Sequence, residues 1–213
     1  TSDQLAREIA ELEFYGLEIP RELQPNLILA VETEELGISG GLQDRVCQVY
    51  ETLVYMDFSQ EHMEARGFGC YEPLDPGLLP PLYVAYDTRL SKVSGVLHGN
   101  LRQRWERGDR EVVEAMGDFA RLAEKGRAAL LERDYTRLDD LMNQNFDRRR
   151  RLYPLAPRHI EMVELARSLG ASAQFAGSGG SVIGANSDEA MYQALPRAFE
   201  AASMQVELAL DYG

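Results

Sequence analysis

The chain has 213 residues, 45% apolar and 27% charged, a composition that builds one large or two small folded domains and excludes disorder and fibrous repeats. Its 22 basic and 35 acidic side chains leave a net charge of −13, which repels a nucleic-acid backbone over most of the surface but allows an anionic small molecule wherever arginines or a helix N-terminus gather. No apolar run reaches the roughly 18 residues of a membrane span and no charged-then-apolar segment opens the sequence, so a cytoplasmic protein with neither membrane nor nucleic-acid partner is expected.

Leu5, Ile9 and Leu12 recur at helical spacing, with Ser2 as N-cap and Gly16 and Pro20 as stops. Leu27, Ile28, Val31 and Leu36 predict a second helix after Pro25, with Glu32, Glu34 and Glu35 on its other face and Gly37 closing it. A small-residue loop, 37–41, then runs into a helical stretch carrying Asp44, Arg45, Val46, Cys47 and Tyr50. Residues 53–58 read as a strand. Glycines and prolines crowd residues 66–81, and the boundary between two lobes, 1–70 and 71–213, is expected there.

The second lobe opens on a strand at 82–86. Four helices follow between 92 and 170. Val96, Leu97, Leu101 and Trp105 mark the first; Val112, Val113, Met116, Phe119 and Leu122 the second; Leu138, Leu141, Met142 and Phe146 the third; Ile160, Val163, Leu165, Ala166 and Leu169 the fourth, with Gly170 as its stop. A strand at 172–176, a glycine-rich turn, a strand at 181–184, a helix at 189–202 capped by Asp188 and a strand at 205–210 complete an α+β lobe.

Cys47 and Cys70 are expected to be reduced and buried, and Trp105 to be a core residue rather than a platform for a sugar. His62, His98 and His159 show no metal spacing. Two glycine-rich loops stand out. Gly40-Gly41 precedes a helix start, which exposes backbone N–H groups to an anion; Gly177-Ser178-Gly179-Gly180 links two strands. Taken singly, the second loop is an ordinary hairpin turn and Asp44 an ordinary first-turn helix acid. The run Arg148–Arg151 suits the negative end of a helix. Asn143 and Asn145 sit where a helix interior disfavours Asn, so at least one is expected to have a polar task.

ELGISGGLQDRV and AGSGGSVIG, in that order, resemble the second and third motifs of the GHMP small-molecule kinases. With LLPPLYVAY, HGNLRQRWERGD and LMNQNFDRRRR the resemblance covers nearly all of residues 25–185, and within the family it points to the glucuronokinase branch. It implies a two-lobed α+β fold: a partial amino-terminal lobe and a ferredoxin-like carboxy-terminal lobe with inserted helices. It also implies transfer of the γ-phosphoryl of ATP, with Mg²⁺, to the anomeric hydroxyl of glucuronate. Asp44 would take the proton of that hydroxyl. Ser39, Gly40, Gly41, Arg45, Gly177, Ser178, Gly179 and Gly180 would contact substrate and phosphates. Glu32 would hold Mg²⁺, with Glu34 and Glu35 near enough to contest that role. The substrate carboxylate needs a cation, for which Arg45, Arg102, Arg104 and Arg148–Arg151 are candidates.

Residues 1–30 do not match the family's first, serine- and glycine-rich phosphate loop, and the sequence begins at Thr1. The chain is therefore expected to be the carboxy-terminal part of a longer kinase. The rival expectations are the same chemistry on another sugar, a heptose phosphate or mevalonate, and a non-catalytic module that keeps the cleft. The assembly considered is a homodimer.

Overall fold

The computed structural model describes residues 16, 19–37, 40–90, 101–177, 179–185 and 189–208. The helix expected over 3–15 with its Ser2 cap, and Ser39, Val96, Leu97, Ser178 and Asp188, lie outside these residues. The chain divides into two units, Thr1–Pro76 and Gly77–Gly213.

In the first unit α1 (Gln24–Ala30) carries Pro25 in its first turn, where a missing N–H leaves no bond unmade. It runs into a wider π turn, Val31–Glu35, where the Leu36 N–H donates to the Val31 carbonyl at 3.2 Å. Where one regular helix was expected to run on to Leu36, the final turn is thus loosened, and Gly37 ends it in the left-handed region at φ +63°. α2 (Leu42–Tyr50) follows. β1 (Leu53–Asp57) and β2 (Cys70–Leu74) pair antiparallel, Leu53 opposite Leu74 and Asp57 opposite Cys70, with α3 (Gln60–Arg66) between them. Ile28, Val46 and Tyr50 are buried, and Tyr71 meets Tyr50 and Phe58 edge-on, each at 5.8 Å.

The second unit is built on β3 (Leu82–Tyr86), β4 (Gln174–Phe175), β5 (Ser181–Ala185) and β6 (Gln205–Leu208), in the spatial order β4-β5-β3-β6 with every neighbour antiparallel. Helical residues 101–106, then α4 (Arg110–Glu132), α5 (Tyr135–Leu152) and α6 (Pro157–Ser168), lie between β3 and β4, and α7 (Glu189–Ala201) lies between β5 and β6. This is a ferredoxin-like β-α-β-β-α-β order with extra helices in the first crossover, as the resemblance implied. Tyr83 and Ala85 of β3, Phe175 of β4 and Val182 of β5 point to one face and share a core with Phe146, Met162, Val163, Ala166, Leu195 and Phe199. Strand alternation and helical spacing both deliver their apolar residues to that layer.

Two expectations about apolar faces are corrected. Val113 and Met116 of α4 are exposed, because the buried stripe runs one position earlier through Val112, Ala115 and Ala129. Trp105, expected in the core, is 54% exposed; the helical stretch 101–106 turns Leu101 inward instead, against Val112, Ala115 and Leu152. Among the described residues no helix is long and apolar enough to cross a membrane.

Gly184 is the position that fixes this sheet most tightly. It stands opposite Tyr83, and a Cβ there would come within 1.8 Å of the Ser172 carbonyl oxygen and 2.6 Å of the Tyr83 ring. Nearby, the Tyr83 hydroxyl donates to that same carbonyl at 2.6 Å and the Ala185 N–H donates to Ser172 Oγ at 2.9 Å. Burial pushes the Tyr83 hydroxyl well above its usual range, so it stays a donor. Gly184→Ala is expected to destabilise the unit by about 3 kcal/mol through overpacking. Denaturant unfolding checks this, and an unchanged midpoint would mean that the strand pair gives way easily.

Candidate active site

In the first unit the second-motif loop and Asp44 are organised by one buried arginine. Asp44 lies in the first turn of α2, its side chain 68% exposed. The Gly41 that precedes the helix is extended, and among the described residues no side chain caps the turn, which leaves its N–H groups with the positive end of the dipole. Arg45 is buried beneath. Its Nη2 donates to Glu32 Oε2, and its Nη1 donates to Asp44 Oδ2 at 3.3 Å and to the Gly41 carbonyl at 3.4 Å. A Cβ on Gly40 would come within 2.9 Å of that guanidinium, so the loop rests directly on it. Glu32 is buried by the π turn, whereas Glu34 and Glu35 of the same turn are exposed. π turns are rare and concentrate at functional sites; nothing in the spacing of the apolar residues signals this one.

Glu32 is therefore committed to Arg45. A metal ion there would have to displace a guanidinium and sit beside its charge. Among the described residues no three His, Cys, Asp or Glu side chains group as a metal cage. The residues present do not fit a Mg²⁺ ion on Glu32 as it stands.

In the second unit the third-motif loop is held at both ends. The Ala176 N–H donates to the Ser181 carbonyl at 3.2 Å, and the Asp87 N–H to the Gly180 carbonyl at 3.3 Å. The Gly180 N–H donates to His159 Nε2 at 3.0 Å, and Arg149 Nη1 donates to the Gly177 carbonyl at 2.9 Å. Gly179 and Gly180 have φ of +131° and +84°, which an L side chain rarely adopts. Asp87 follows β3 with its carboxylate buried between Arg89 and Arg158, which hold it well below the usual carboxylate range. Arg158 also donates to the Ala202 carbonyl, tying the start of α6 to the end of α7.

Sequence reasoning missed His159 and Asp87. The signal for the first was present: His159, Met162, Val163 and Ala166 form the buried stripe of α6, whereas the face chosen from sequence passed over His159. Asn143 has the polar task expected, accepting from the Ala173 N–H at 3.1 Å.

Besides Arg45, four of the candidate cations pair with carboxylates, and Arg151 is exposed at the end of α5. Arg102 pairs with Glu106, Arg104 with Asp109 and Glu111, Arg148 with Asp118 and Arg150 with Glu164. Arg149 instead bonds a loop carbonyl and lies over the Phe119 ring at 5.8 Å. The two cysteines are exposed rather than buried: Cys47 lies beside inward-facing Val46 on the outer side of α2, and Cys70 starts β2. Partial desolvation and then the Asp44 charge push the Cys47 thiol up, away from thiolate chemistry.

Residues 127–201 match the family model for the C-terminal domain of GHMP kinases. Over 177 residues the chain is 49% identical to Glucuronokinase 1 of Arabidopsis thaliana, covering 81% of this chain and 48% of that protein. It is 51% identical over 178 residues to Probable glucuronokinase 2 of the same plant, again covering 81% and 48%. The chain spans about half the length of the curated relatives it matches. Among solved structures, Lactococcus lactis galactokinase complexed with galactose superposes with a TM-score of 0.70 at 12% identity, over 96% of this chain and 63% of that one. At that identity the likeness shows a shared fold.

Proposed function

We propose, for a chain that belongs to the GHMP kinase family and is glucuronokinase-like, that the whole protein is a sugar-1-kinase transferring the γ-phosphoryl of ATP to the anomeric hydroxyl of glucuronate. The observation that carries this reading is identity near 50% to Glucuronokinase 1 and Probable glucuronokinase 2 over 81% of the chain.

Phosphoryl transfer asks for positioning and charge stabilisation more than covalent help. In the proposed step Asp44 accepts the proton of the acceptor hydroxyl, the oxygen forms its bond to the γ-phosphorus, and the bond to ADP breaks. Arg45 fixes Asp44 and the Gly40-Gly41 backbone from below. The Gly177–Gly180 loop brings backbone close to substrate and phosphates, which the absence of Cβ permits. Mg²⁺ travelling with ATP would neutralise phosphate charge; we assign Glu32 to Arg45 rather than to that ion, and no step is routed through it.

Arg149 is the arginine proposed to meet the substrate carboxylate. It stands at the start of the glycine loop, and its bond to the Gly177 carbonyl leaves guanidinium donors for an anion. Arg149→Gln keeps a donor and removes the charge. It is expected to raise the KM for glucuronate by about 10- to 100-fold, the worth of a hydrogen bond to a charged group. An unchanged KM would remove Arg149 from this role.

The reading is tested by glucuronate-dependent ADP release from ATP and Mg²⁺, using the whole protein that contains this chain, with galactose and mevalonate as controls. Release with glucuronate alone is expected. Release only with another acceptor moves the substrate, and silence on all three overturns the reading.

A further inference from the structure

We propose that His159 is a positioning residue for the third-motif glycine loop, holding the Gly179–Gly180 backbone from beneath so that the loop meets substrate in one geometry. This rests on the reading of that loop as part of a kinase site. A stretch of three glycines brings almost no side chain to pack, and glycine loses more freedom on ordering than any other residue. Something outside the loop must therefore hold it.

His159 does so in two ways. Its Nε2 accepts the Gly180 N–H at 3.0 Å. Its ring also lies against Gly179, where a Cβ would come within 3.0 Å of Cε1. The imidazole is itself fixed: it is buried, sits in the first turn of α6, and stands edge-on to Phe175 at 5.2 Å. Accepting at Nε2 requires the neutral ring with its proton on Nδ1. Burial alone lowers the proton affinity of this histidine and so favours that form.

The test compares wild type, His159→Leu and His159→Gln in the whole protein. Leucine fills similar space without an acceptor, whereas the glutamine carbonyl can reach the place of Nε2. In His159→Leu, hydrogen exchange of the peptide spanning 177–184 is expected to quicken about tenfold, the loss of one hydrogen bond. Its kcat is expected to fall about 10- to 100-fold, as small misplacements do. His159→Gln should restore most of both. Equal exchange and equal kcat in the two variants would overturn the proposal. Should the leucine variant fail to fold, nitrogen NMR of the wild-type ring decides: an Nδ1–H tautomer at neutral pH supports the proposal, and an Nε2–H tautomer or an imidazolium overturns it. A wild type without kinase activity would sink the kinase reading, and the exchange and tautomer results would still judge His159.

Discussion

Asp44→Asn in the whole protein is expected to lower turnover by about 10²- to 10⁴-fold, the usual range for a positioned general base, while ATP affinity changes little. The substitution isolates proton acceptance. Asparagine has nearly the same shape, and its carbonyl oxygen can still accept from Arg45 Nη1, as Asp44 Oδ2 does at 3.3 Å. With 68% of its side chain exposed, Asp44 contributes little to the core, so the variant should fold normally. The competing explanation is an acidic residue placed in a first helical turn to complement the dipole. That role is worth about 0.3–1 kcal/mol of stability and nothing in turnover. The two readings therefore predict opposite patterns: loss of kcat at constant stability, or a small loss of stability at constant kcat. Steady-state kinetics with glucuronate, paired with a nucleotide-binding isotherm, separates them. Near-normal kcat would end the assignment of Asp44.

Periodicity located nearly every element of the second unit, and the reason is physical. Its strands alternate and its helices carry continuous stripes, so residues such as Leu138, Leu141, Met142 and Phe146 were placed inside correctly. Where a helix has apolar residues on two faces, spacing alone could not choose. In α4 both Val112 and Val113 are candidates, and the contact with Leu152 decides for Val112. Trp105 was misplaced for a related reason: bulk suggests burial, but among the described residues of its helical stretch it is Leu101 that packs against Val112, Ala115 and Leu152. The glycine loops and Asp44 were legible as motifs. What holds them was not, because the partners are distant in sequence. Gly180 and His159 lie 21 residues apart and Arg149 and Gly177 lie 28 apart. Glu32 was legible as an acid near Asp44, but the π turn that buries it depends on a backbone bond from Leu36 that no side-chain pattern announces.

Glu32→Leu is expected to destabilise the first unit by about 3–5 kcal/mol, the cost of leaving one partner of a buried ion pair alone. The side chains of Arg45 and Glu32 are only 10% and 9% exposed, and Arg45 Nε already lacks a hydrogen-bond partner among the described residues. Removing the carboxylate strands a charged guanidinium beneath Gly40 with, among the described residues, only Asp44 and the Gly41 carbonyl to answer it. Replacing both partners, as Glu32→Leu with Arg45→Met, should recover most of the loss, because a well-packed apolar pair of similar volume avoids the desolvation of both charges. Hydrogen exchange of the α2 amides reads the effect locally: faster in the single variant and near wild type in the double. Kinetics should diverge from stability here. The double variant regains its fold but lacks the guanidinium that fixes Asp44, so its kcat should stay low. If instead Glu32→Leu leaves α2 exchange unchanged and only raises the Mg²⁺ concentration required for turnover, then Glu32 serves the metal and the ion pair with Arg45 is incidental.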